Sequence, residues 1–133
     1  MDILGIGTET VECLRIGRMI ERHGEQFLTR VYTDREIRHC QSRKRSRELF
    51  AERWAAKEAV LKALGIQWQR AMSWTDIEVR PGADGRPEVA LAGAVREAAV
   101  GLRLAGVLLS LSHCRAYAVA HAVALRGVGT PPE

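Results

Sequence analysis

A chain of 133 residues with 47% hydrophobic side chains is long enough for one ordinary core and too short for two, so a single domain is expected. Its formal charge of +4 and pI near 9.3 point to an anionic partner without choosing among nucleic acid, phosphorylated cofactor and acidic protein. Three widely spaced cysteines, Cys13, Cys40 and Cys114, exclude a readable disulfide framework or a paired-cysteine zinc site.

No basic start leads into a long apolar run, and no stretch approaches the roughly 20 apolar residues that span a bilayer. A soluble cytoplasmic protein with no membrane partner is expected. The domain is predicted over 1–126, followed by a tail at 127–133.

Ile3–Gly7 (ILGIG) reads as a short buried strand whose glycines let a backbone or ligand approach closely. Thr8 resembles the N-cap of a helix running to about His23 and stopped by Gly24, which would leave Glu9 at the helix mouth. GIGTET is not a dinucleotide fingerprint, since Thr10 stands at the third glycine position. On this helix Arg15, Arg18 and Arg22 share one side. They form either a solvated basic face or a dock for an acidic helix.

Thr33-Asp34-Arg35-Glu36 fits a capping box and predicts a short helix to about Gln41. The polar linker Gln41–Ser46 leads into a long helix at Arg47–Gly65, rich in helix formers, free of proline and closed by a C-cap glycine. Leu49, Phe50, Trp54, Val60, Leu61 and Leu64 fall within roughly 140° of arc on that helix, yet Arg53 and Lys57 project into the middle of the stripe. Either an anionic group lies against this face, or the two cations snorkel or pair with a carboxylate elsewhere. Glu58 and Lys62 flank them one turn apart. A carboxylate beside three cations is what a metal and polyphosphate site requires.

Ile66–Trp74 lacks a period and reads as loop. Strands are predicted at Thr75–Arg80, with Ile77 and Val79 inward, and at Pro87–Leu91, joined by the turn Pro81–Gly85. A helix follows over Ala94–Leu104. Val107–His113 and Ala116–Leu125 then alternate as strands. The second carries Tyr117, Val119, His121, Val123 and Leu125 on one face and alanines on the other, a surface suited to close packing by the long helix. His113, at a strand end beside Ser112, is the most suggestive histidine, while His121 reads as a core residue. Adjacent strand residues face opposite ways, so His113 and Cys114 cannot easily share a proton, and Cys114 reads as a small buried side chain.

Three blocks, Gly5–Glu12, Phe50–Ala59 with Lys62 and Gly65, and Leu111–Ala118, resemble the short bacterial-type holo-acyl-carrier-protein synthases of the 4′-phosphopantetheinyl transferase family. The middle block is the specific one, and the likeness covers about residues 2–125. It implies an α+β fold, a small mainly antiparallel sheet packed on a long central helix. It also implies transfer of the phosphopantetheine arm of coenzyme A to a serine of apo acyl carrier protein, releasing adenosine 3′,5′-bisphosphate. The family's metal carboxylates fall on Glu9 and Glu58, for Mg²⁺ or Mn²⁺ in its place. Coenzyme A contacts fall on Arg53, Lys57, Lys62, Gly65, Ser112 and His113, catalytic roles on Glu58 and Lys62, and carrier docking on Arg15 together with Arg18 and Arg22. A homotrimer with active sites between subunits is implied as well.

One position departs from the pattern. The family usually has Asp where this chain has Glu9, and the added methylene moves the carboxylate outward by about one bond length. An inactive carrier-binding relative is therefore one alternative. The other, a small basic nucleic-acid-binding module, lacks aromatic side chains interleaved with basic ones, aromatics being only 5% of the chain.

Overall fold

Two glycines decide where the central helix lies. Gly5 and Gly7 belong to strand β1 (Asp2–Glu12). A β-carbon on Gly5 would come within 2.1 Å of the Ala63 carbonyl oxygen, and one on Gly7 within 1.9 Å of the Ala59 carbonyl oxygen. Only glycine permits that approach. Ala59 and Ala63 lie on helix α4 (Ser46–Leu64), where Ala51, Ala55, Ala56, Ala59 and Ala63 are all buried. The computed structural model describes residues 1–127, so the expected tail lies outside it apart from Gly127.

The chain forms helices α1 (Cys13–His23), α2 (Glu25–Val31) and α3 (Asp34–Gln41) before α4, then strands β2 (Ile77–Pro81) and β3 (Pro87–Leu91), helix α5 (Gly93–Gly101), and strands β4 (Leu104–His113) and β5 (Tyr117–Arg126). The main sheet has the order β1-β5-β4 and is antiparallel throughout. The second sheet is the β2–β3 hairpin. Ala118, Ala120, Ala122 and Ala124 of β5 are fully buried, which brings α4 onto the sheet as the alternation predicts. The expected α+β arrangement of a small antiparallel sheet on one long helix is what the chain adopts.

The outer face of the sheet carries larger side chains. Ile6, Val123 and Leu108 stand in one row across the three strands, and Ile6 and Leu108 are 65% and 59% exposed. No element among the described residues covers them.

Several predicted boundaries and burials differ from those observed. α1 begins at Cys13, not after Thr8, because Thr8–Glu12 continues the ladder with His121–Tyr117; β-branched Thr8, Thr10 and Val11 suit a paired strand better than a first helical turn. Gly24, with φ 52°, ends α1 and also opens α2, a helix not expected. α5 stops at Gly101, and Arg103, with φ 59°, turns the chain into β4. His121 and Cys114 are exposed rather than buried.

A buried ion pair ties the second sheet to the helix. Glu36, in the capping box of α3, is 1% exposed, as is Lys57 of α4. Glu36 Oε1 accepts from Lys57 Nζ at 2.8 Å and from Thr33 N at 2.9 Å, while Oε2 accepts from Val79 N at 2.9 Å. Lys57 Nζ also donates to the carbonyls of Trp74 at 3.0 Å and Ile77. Burial draws the ammonium pKa below its ordinary value, and the facing Glu36 works against that. Such a pair survives burial because its polar atoms are partnered.

Two stability predictions follow from these contacts. Gly7→Ala, by forcing α4 off β1, lowers unfolding free energy by about 3 kcal/mol in urea titration. Lys57→Ala leaves Glu36 buried and unpaired and costs about 3 to 5 kcal/mol; a loss below about 1 kcal/mol would contradict the network's role.

Candidate active site

The ladder that displaced the predicted helix start also places the first acid. Glu9 follows Gly7 by two residues, so it points to the same side of β1, toward α4. Glu58 and Lys62, one turn apart on α4, meet it there. Lys62 Nζ lies 2.8 Å from Glu9 Oε2 and donates to the Thr8 carbonyl at 3.1 Å, with its side chain still 55% exposed.

The two acids lie close enough to shift each other's titration. Burial, then the hydrogen bond and charge of Glu9, push Glu58 up to about 7, against opposing pulls from Trp54 and Lys62. Partial burial raises Glu9, but Glu58 and the Lys62 ammonium outweigh it and hold its carboxyl below the ordinary range. Of the two acids, Glu58 is therefore the one that holds its proton to higher pH.

The donor chemistry fits Mg²⁺ or Mn²⁺. Among the described residues no group of three or more His, Cys, Asp or Glu could hold a metal, and Glu9 with Glu58 brings together two carboxylates of hard oxygen donors. Mg²⁺ is commonly bound that way, with substrate phosphates and waters completing its shell.

A second cluster occupies the other flank of α4. His113 Nδ1, at the end of β4, is 2.6 Å from Glu52 Oε2, which fixes the ring. Arg53 is 5% exposed, and its Nε has no hydrogen-bond partner among the described residues. It lines a cavity of about 320 Å³ with His39, Arg43, Arg80, Pro87 and Leu111. Burial, Arg53 and Arg43 draw His39 below its ordinary pKa. Its three arginines outnumber the one lining carboxylate, Glu52, and leave the lining cationic.

The two clusters do not merge within one chain. Arg53 precedes Glu58 by five residues, about 140° around the helix. Glu9 rides on β1 and His113 on β4, the opposite edges of the sheet.

Of the remaining expected residues, Lys57 is a correction. It is enclosed by Glu36, Trp74 and Ile77, so it cannot reach a bound phosphate; of the two readings open for it, pairing with a distant carboxylate is the one the fold adopts. Ser112 is exposed on the outer face of β4, opposite to His113. Gly65 caps α4 with φ 68°, three residues past Lys62. Arg15, Arg18 and Arg22 are all exposed on α1, while Cys13 and Ile16 turn inward.

Sequence reasoning did not single out Glu52, Glu36, His39, Arg43 or Arg80. The capping box named Glu36 as a helix start, but no local signal shows that its carboxylate faces Lys57. The cavity residues come from α3, the linker, α4 and the hairpin, which only the folded chain assembles.

The sequence model of the 4′-phosphopantetheinyl transferase superfamily matches residues 5–122. A holo-[acyl-carrier-protein] synthase of Rhodopirellula baltica is 45% identical over 123 residues, covering 92% of this chain and 98% of the relative. The crystal structure of the holo-[acyl-carrier-protein] synthase of Neisseria meningitidis superposes with a TM-score of 0.85 at 31% identity, over 94% of this chain and 100% of that one. The Bacillus anthracis synthase, solved in complex with CoA (3′,5′-ADP), gives 0.76 at 33% identity over 94% and 98%. With the matched region spanning all three motif blocks, the chain belongs to the 4′-phosphopantetheinyl transferase superfamily.

Proposed function

We infer that this protein transfers the 4′-phosphopantetheine arm of coenzyme A to a serine of an apo acyl carrier protein, releasing adenosine 3′,5′-bisphosphate. The observation that carries the reading is the Glu9–Glu58–Lys62 cluster, an accessible ammonium 2.8 Å from one of two neighbouring acids, in a chain that belongs to this superfamily. The carrier hydroxyl attacks the β-phosphorus of the coenzyme A pyrophosphate. A serine O–P bond forms, the bond to the bridging oxygen breaks, the serine hydroxyl gives up its proton to water, and the leaving group departs with the α-phosphate.

Glu9 and Glu58 would hold the divalent cation, which would supply positive charge to the pyrophosphate. Lys62, anchored on the Thr8 carbonyl, presents its ammonium to the leaving phosphate and stabilises the charge developing there. Arg53 supplies a guanidinium to a phosphoryl group of coenzyme A. His113, oriented by Glu52, adds a contact through its imidazole ring.

In this reading the enzyme works as a homotrimer with its sites between subunits. Two features support it: the uncovered apolar row Ile6–Val123–Leu108, larger than isolated exposed residues require, and the placement of the cation-binding and Arg53 clusters on opposite edges of one sheet. A closed head-to-tail ring brings one copy's β4 edge beside the next copy's β1 edge and completes each site. The Arg15, Arg18 and Arg22 ridge of α1 receives an acidic helix of the carrier. No helix among the described residues is long and apolar enough to cross a membrane, and the free cysteines suit a reducing cytoplasm.

The direct test is to incubate the protein with coenzyme A, Mg²⁺ and an apo acyl carrier protein and weigh the carrier. Its mass rises by one phosphopantetheine arm, chelation stops the reaction, and added Mg²⁺ restores it. Glu58→Gln and Lys62→Ala each lower kcat by roughly 100-fold or more; carrier binding without any turnover by the unaltered protein would instead mark an inactive relative. Arg15→Ala raises KM for the carrier by roughly tenfold and leaves KM for coenzyme A near its original value. Equal loss for both substrates would argue against docking at α1.

A further inference from the structure

The three thiols sit in three different settings. Cys40 is fully buried, and burial pushes its thiol up to about 12. Cys13, the first residue of α1, is also fully buried, and burial followed by the nearby Glu48 raises it. Cys114 opens the turn between β4 and β5 and is exposed. Its sulfur accepts the Tyr117 N–H at 3.4 Å. That donor and the Ala116 N–H hold the Cys114 thiol below its ordinary range, so the accessible sulfur has the greatest thiolate character of the three.

The second thiol lies directly behind that turn. Cys13 N donates to the Ala116 carbonyl at 2.9 Å, and the Cys13 Sγ–H points to the Cys114 carbonyl oxygen at 3.8 Å. These two contacts tie the first turn of α1 to residues 114–116. The buried sulfur of Cys13 therefore lies against the backbone of the residue that carries the exposed thiol. The phosphopantetheine transfer uses neither sulfur.

We propose that Cys114 is a thiol-modification site whose mixed disulfide with a low-molecular-weight disulfide is resolved by Cys13, leaving an intramolecular Cys13–Cys114 bond. The Cys114 thiolate attacks one sulfur of the reagent; that S–S bond breaks and one reagent thiolate leaves. Cys13 then gives up its proton and attacks the Cys114 sulfur, expelling the second reagent thiolate. The two cysteines together lose two electrons and two protons, and the reagent disulfide is reduced to two thiols. Access fixes the order, with the exposed sulfur reacting first and the buried one second.

The experiment treats the full-length protein with oxidised glutathione after removal of reductant and follows intact mass and cross-linked peptides. The protein ends lighter by two hydrogen atoms, with a Cys13–Cys114 peptide and no retained glutathione, and dithiothreitol reverses the change. Cys114→Ala, at an exposed position that leaves the core intact, reacts at least about tenfold more slowly. Glutathione retained on Cys114 with Cys13 free, a cross-link through Cys40, or undiminished reaction of the Cys114→Ala variant each overturns the proposal.

Discussion

The contact between the backbones of β1 and α4 at Gly5 and Gly7 sets the geometry on which the rest of the molecule depends. A β-carbon at either glycine would overlap a helical carbonyl, so the strand and helix meet closer than any pair of side chains would allow. At that separation Glu9, two residues beyond Gly7, comes within hydrogen-bonding reach of Lys62 and Glu58. A wider gap would leave Glu9 facing water and Lys62 without its carboxylate. The alanines of β5 extend the same close packing across the middle of the sheet, and so hold α4 in one position along its length.

This packing has a consequence for the helix itself. α4 is buried on more than one side, and small residues on the sheet side contribute little apolar area. Its remaining flank is held by polar contacts: Lys57 joins Glu36, the Trp74 carbonyl and the Ile77 carbonyl in one network, and Glu36 in turn binds the Val79 amide. Aromatic rings fill the spaces alongside, with Trp54 stacked on Phe27 and on Trp74. The cations in the apolar stripe thus serve two ends. Lys57 fixes the hairpin to the helix, and Arg53, four residues earlier, borders the cavity that the hairpin helps to form.

What the sequence made legible follows the range of the interactions involved. The capping box at Thr33, the C-cap at Gly65, the β2–β3 hairpin and the alanine face of β5 are each written within a few residues, and all were readable. The extension of β1 through Glu12 was not, because a plausible cap at Thr8 competes with strand pairing to residues more than 100 positions away. The Glu58–Lys62 pair was visible as one helical turn, and the resemblance added Glu9. No periodicity could separate the fates of Arg53 and Lys57: both project into the same stripe, and only the position of α3 decides that Lys57 meets a buried carboxylate while Arg53 Nε does not.

The division of the charged groups between two sheet edges carries the argument about assembly. A divalent cation and pyrophosphate site needs cations and acids converging on one substrate, yet Glu9 and Lys62 lie by β1 while His113 and Glu52 lie by β4. The alanine-filled β5 stands between them, so no rearrangement short of unfolding the sheet would bring them together in one chain. Under the proposed ring, the apolar outer face that α4 leaves bare supplies the association energy. In that proposal the separation of the half-sites is what association would overcome, since one subunit's guanidinium cavity would serve the two acids of its neighbour. The close helix–strand contact at Gly5 and Gly7 is thereby linked to subunit association, for the same strand that positions Glu9 on its inner side presents Ile6 on its outer one.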